Sequence, residues 1–177
     1  MRVLPCWLLI CIISAPVQSE IKKTSSTGFI IQHSINVADD RTAVFQAMTQ
    51  NIGAWWSPAH SFSGDADTML LDKNCFCERW EDNLVRHLNT TIWIQNEKVV
   101  MHGGLGPLKE LGLSGTMTWS LSQAENSMTT ISWKYHVFGY SETDLPGLAV
   151  AVDGVLEQQI NNLVRHLDHS TKNDLPK

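Results

Sequence analysis

Leu145, Ala149, Val152, Leu156, Ile160, Leu163 and Leu167 recur at three- and four-residue steps near the end of the chain. They draw one apolar stripe along about six turns of a helix. A helix with a single greasy side gains most of its stability by covering another surface. Pro146 sits near its start, where a missing N–H costs least, and Arg165, His166 and His169 gather near its end, where cations suit the dipole. The preceding segment offers the surface. Between residues 66 and 138 the pattern reads as six strands, at 68–71, 75–80, 84–94, 98–102, 115–121 and 128–138. Short turn signals such as Asp72-Lys73-Asn74 and Glu81-Asp82-Asn83 separate them, which is the spacing of hairpins in an antiparallel meander. Met117, Trp119 and Leu121 share one face, as do Ile131, Trp133, Tyr135 and Val137.

Upstream, Phe29, Ile31, His33, Ile35 and Val37 alternate with polar residues, the period of a half-buried strand. Asp39 and Asp40 then suit a helix N-terminus, and Val44, Phe45, Met48 and Ile52 follow at helical spacing before Gly53. One or two short helices are expected here, the second carrying Trp55 and Trp56. The order is strand, helix, six strands, long helix. This predicts an α+β domain over residues 28–169, with a sheet of about seven strands covered by the last helix. The polar stretch 20–27 reads as a flexible lead-in and 170–177 as a polar tail.

The first nineteen residues, MRVLPCWLLICIISAPVQS, read as an address. Arg2 precedes an apolar run from Val3 to Ile13, and Val17 and Ser19 stand three and one positions before a cut between Ser19 and Glu20. An eleven-residue run is short for crossing about 30 Å of hydrocarbon, so a cleaved signal is preferred to an anchor. The mature chain is then expected to be secreted or periplasmic, with no transmembrane segment. Cys6 and Cys11 leave with the signal, so only Cys75 and Cys77 remain. The formal charge of −5, with no basic block, argues against a nucleic-acid partner.

Five strings carry a family resemblance: CFCE at Cys75 to Glu78, VRH at Val85 to His87, GGLGPL at Gly103 to Leu108, SGTMTW at Ser114 to Trp119, and AVDGVLEQQ at Ala151 to Gln159. In this order they resemble the START and polyketide-cyclase-like superfamily (SRPBCC), in the branch similar to the activator of the heat-shock-protein-90 ATPase. The resemblance implies a helix-grip fold, in which a curved antiparallel sheet wraps around a long C-terminal helix and leaves an internal cavity. It implies no agreed reaction.

A concave, mostly apolar interior is where small ligands bind. The inward set predicted to line it is His33, His87, Trp119, Trp133, Tyr135, Val152 and Leu156, set against plain core packing of the same aromatics. His33 is a polar ring on an apolar strand face, His87 follows the cysteine pair, and Asp153 flanks the helix stripe; these three are the candidate acid–base groups. Cys75 and Cys77 have three readings: two buried thiols, a disulfide favoured by export, or a zinc site completed by His87. Bridging positions i and i+2 of a regular strand is strained, since bridged Cα atoms usually lie about 4.4–6.8 Å apart. Asn89-Thr90-Thr91 is an N-glycosylation acceptor only in a eukaryotic host. GGLGPL lacks the Lys-Ser/Thr of a phosphate loop and reads as backbone bends, so no cofactor is expected.

Three functions follow as expectations. The first is an exported binder of a small hydrophobic molecule held between sheet and helix. The second is an enzyme of the cyclase or hydrolase kind working through His33, His87 or Asp153. The third, suggested by the resemblance, is a chaperone-activating interaction protein.

Overall fold

The computed structural model describes residues 18–125 and 128–173. Residues 1–17, which hold most of the expected signal, lie outside that range. One antiparallel sheet contains eight strands: β1 (Gln18–Ser25), β2 (Gly28–Val37), β3 (Met69–Leu71), β4 (Cys75–Trp80), β5 (Asn83–Ile94), β6 (Lys98–His102), β7 (Ser114–Gln123) and β8 (Thr129–Phe138). Their spatial order is β1-β2-β8-β7-β6-β5-β4-β3. The sheet curves without closing, and helix α2 (Leu145–Asn173) lies against β1 and β2. This is the α+β helix-grip arrangement expected from the sequence.

Residues 20–25, expected as a flexible lead-in, are a paired edge strand. The strand starts at Gln18, so the expected cut after Ser19 falls within it. Its polar composition hid it: an edge strand needs little apolar surface, and Lys22 and Lys23 are the charges that keep such an edge from pairing with other chains. α2 likewise continues to Asn173, into the segment expected as a tail.

Helix α1 (Arg41–Gln50) follows β2, its first turn capped by the Asp40 carboxylate, which accepts from the N–H groups of Thr42 (2.7 Å) and Ala43 (3.0 Å). Three single 3₁₀ turns, at Ile52–Ala54, Pro58–His60 and Ala66–Thr68, then lead to β3. The inward residues of β2, β7 and β8 meet Val44, Phe45 and Met48 of α1 and the α2 stripe in one core. Trp119 and Trp133 stack at 4.6 Å between centroids, and Trp55 packs 6.0 and 5.7 Å from them. Six residues of the α2 stripe are buried; Val152 is only half-buried. That exception marks where the helix faces empty space.

Candidate functional site

A cavity of about 450 Å³ opens beside that part of α2. Leu148, Ala151, Val152, Val155 and Leu156 form its helical wall; Trp56 to Phe62 form one rim, Leu105 to Leu108 the other, and His87 sits below. The walls are mostly apolar, and its volume falls in the range of small-molecule sites.

Each rim is tied down by identifiable bonds. On the first, the buried Gln159 accepts from the Ser57 N–H at 2.8 Å, and Gln158 meets His60 Nε2 at 2.9 Å, so the EQQ end of the AVDGVLEQQ string holds this segment to α2. On the second, Tyr135 Oη donates to the Gly103 carbonyl at 3.0 Å and accepts from the Leu105 N–H at 2.9 Å. Burial pushes the Tyr135 hydroxyl up to about 12, so it stays protonated and keeps both bonds. Gly103 has φ +145°, and a Cβ there would stand 2.6 Å from the His87 carbonyl oxygen, so only glycine lets the chain leave β6 across β5 at this point.

His87 reaches the cavity because β5 is bulged. Phe76 pairs with Leu88 but Cys77 pairs with Arg86, leaving His87 as the extra residue. Both His87 and Leu88 therefore turn inward, a re-aiming that bulges provide. Phe62 and Phe76 flank the imidazole at 5.9 and 5.6 Å. Its Nε2 lies 2.8 Å from Oε1 of Glu78, and its Nδ1 accepts from the Gly106 N–H at 3.2 Å. Glu78 is fully buried and also accepts from the N–H groups of Phe62 (2.8 Å) and Ser63 (3.1 Å). Three N–H donors around one carboxylate are the partners of an ion, which would be costly to bury without them. Desolvation holds His87 below its ordinary value of 6.5, a pull that Glu78 only partly opposes.

Across from β4's bulge partner, Cys75 and Cys77 form a disulfide with Cα atoms 5.6 Å apart. That spacing lies within the range disulfides adopt, and the pairing of β4 with β5 is irregular at this point. With its sulfurs bonded to each other, the pair cannot join His87 in the zinc site weighed above. Among the described residues, no group of three or more His, Cys, Asp or Glu side chains is placed to hold a metal.

Of the residues expected to line a site, His87, Val152 and Leu156 do so. Trp119 and Trp133 do not: they fill the core, because Trp55 covers them from the α1 side. Tyr135 acts on the cavity only through the turn it pins. His33 is fully buried on β2, its Nε2 3.0 Å from Oδ1 of Asp153 but without the alignment of a hydrogen bond. Burial lowers its proton affinity more than Asp153 and Glu157 raise it. The structure thus assembles two separate imidazole–carboxylate pairs, His33–Asp153 and His87–Glu78. Asn89 is exposed on β5, its side-chain oxygen accepting from Arg86 at 3.2 Å. Sequence reasoning missed Glu78, although its place two residues after the inward Phe76 is the signal that period two supplies.

The architecture is shared with several solved proteins. A putative uncharacterized protein from Rhizobium leguminosarum is 13% identical, with a TM-score of 0.59 over 88% of this chain and 99% of that one. A protein of unknown function from Staphylococcus aureus is 14% identical, with a TM-score of 0.55 over 82% and 98%. A conserved protein of unknown function from Enterococcus faecalis is 8% identical, with a TM-score of 0.51 over 90% and 92%. At such identities the likeness is one of fold alone. No protein-family model and no curated protein matches the chain.

Proposed function

We propose that this protein is exported and binds a small apolar molecule in the cavity between α2, the 56–62 rim and the 105–108 turn. The observation that carries this reading is a space of about 450 Å³ with mostly apolar walls against the apolar stripe of α2. The half-buried Val152 of the α2 stripe forms part of its wall. The Cys75–Cys77 disulfide supports export, because oxidising compartments are where disulfides persist. We also place the chain, on its five strings and helix-grip architecture, in the START-like superfamily, within the branch resembling the heat-shock-protein-90 ATPase activator.

The enzyme reading is weaker. A general base needs a free lone pair, yet His87 spends both nitrogens on Glu78 and Gly106, and neither His33 nor Asp153 lines the cavity. The chaperone-activator reading conflicts with export, since that ATPase works inside cells. The test is native mass spectrometry of protein purified from an exporting host. A bound apolar compound, lost in Val152→Trp while the fold is kept, is the expected result. Ligand-free protein that also takes up no apolar compound on exposure would overturn the reading.

A further inference from the structure

The bonds of His87 run in opposite directions, and each dictates where a proton sits. The Gly106 N–H is a donor only, so Nδ1 must offer a lone pair; the ring proton therefore rests on Nε2 and points at Glu78. One neutral tautomer satisfies both partners. The imidazolium cannot, because it carries N–H at both positions and would set Nδ1–H against Gly106 N–H. Through Glu78, the same ring is joined to the N–H groups of Phe62 and Ser63 on the facing rim. His87 is thus the point where the two rims of the cavity are fastened together.

We propose that His87 is a proton-operated clasp: in its neutral form it ties the Gly106 turn to the Glu78-anchored 62–63 segment, and its protonation releases that turn and widens the mouth of the cavity. A pivot is present at Gly106, which has φ +57° and open space where a Cβ would stand, between Leu105, held by Tyr135, and the 3₁₀ turn Gly106–Lys109, anchored by the buried Leu108. The charges acting on the ring come from two elements. Glu78 on β4 favours the cation, and Lys109, whose ammonium donates to the Arg86 carbonyl from the 105–109 turn, opposes it. His60 lines the same cavity from the other rim, and α2 presents only Leu148, Ala151, Val152, Val155 and Leu156 there. Burial disfavours the cation, so the clasp opens only in acid, below the ordinary value of 6.5. Its use as a step of ligand release rests on the binding reading above; the clasp itself does not.

The test is an NMR titration of the ¹⁵N-labelled protein from about pH 7.5 to about pH 4.5, following the His87 ring and the Gly106 amide together. The Gly106 signal is expected to move with the His87 midpoint. Its hydrogen exchange, corrected for the intrinsic effect of pH, is expected to speed up about tenfold as one hydrogen bond is lost. Glu78→Gln should lower the His87 midpoint. In His87→Asn, whose side-chain oxygen accepts without titrating, the Gly106 transition should vanish. The wild-type titration decides the matter even if a variant fails to fold. A Gly106 amide indifferent to His87 protonation, or a ring that stays neutral until the whole domain melts, would overturn the clasp. A protein that takes up no apolar compound but keeps the coupled His87–Gly106 transition would count against the cavity reading and leave the clasp standing.

Discussion

Glu78→Gln removes one charge and changes no shape, which makes it the sharpest probe of how the cavity floor is built. The carboxylate accepts from Phe62 N–H and His87 Nε2–H at Oε1, and from Phe62 N–H and Ser63 N–H at Oε2. An amide keeps one oxygen and turns the other into a donor. With its oxygen toward His87 it confronts the Ser63 N–H; with the reverse orientation it confronts the imidazole. His87 cannot escape by moving its proton to Nδ1, because Gly106 needs that lone pair. One buried donor is thus left facing another, and the charge assistance of the remaining bonds is lost. A hydrogen bond to an ion contributes about 1.5–3 kcal/mol and an orphaned buried donor costs about 1–3 kcal/mol; since water from the cavity can partly satisfy it, the expected loss is about 1–3 kcal/mol. For a chain of this size that is a fall in Tm of roughly 2–12 °C. Glu78→Ala, which strands three donors, should cost more, about 3–5 kcal/mol. Urea melts followed by tryptophan fluorescence would measure both. Unchanged stability in Glu78→Gln would refute the claim that a satisfied, ionised carboxylate supports this floor.

Trp119→Ala should cost about 3–5 kcal/mol, because a stacked, fully buried indole would be replaced by a void; a loss under about 1 kcal/mol, measured by chemical denaturation, would show that the ring sits in an open site instead. Both His33 and His87 are held below 6.5 in the fold, so the unfolded chain binds more protons just below that pH. Their contribution is complete above 6.5 and is lost as pH falls below it, so urea midpoints should decline there; a flat profile down to about pH 5 would contradict this. Gly103→Ala forces a Cβ against the His87 carbonyl at positive φ and should cost at least about 1–3 kcal/mol by the same assay, against no change if the turn is free to adjust. Reducing Cys75–Cys77 opens a very short loop, so the loop-entropy relation gives a loss of only about 1–2 kcal/mol; complete unfolding on reduction would mean the bridge does more than pin one strand.

Periodicity made most of this domain legible. Phe29 to Val37 and Ile131 to Val137 alternate because one face of β2 and β8 meets the core, and the α2 stripe repeats because it lies in the sheet's hollow. β1 was not legible, because a single apolar residue, Ile21, among polar and charged ones sets no period. The site divided along a similar line. Val152 and Leu156 could be placed at a cavity from face alone and His87 from its motif, whereas Trp119 and Trp133 have an inward register and turned out to be sealed by Trp55. Which inward residues meet a void depends on distant segments such as the Trp56–Phe62 rim, and no local pattern encodes that. The bulge at His87 is of the same kind: it exists in the pairing of β4 with β5, not in either strand alone.

Titration with a neutral apolar fluorophore such as N-phenyl-1-naphthylamine, of the wild type and of Val152→Trp side by side, reads occupancy of the space beside α2. Saturable uptake by the wild type, abolished when the indole fills that space and the melting temperature is unchanged, is the outcome expected here. Equal uptake by both proteins, or none by either, would show that nothing is housed between the helix and its rims.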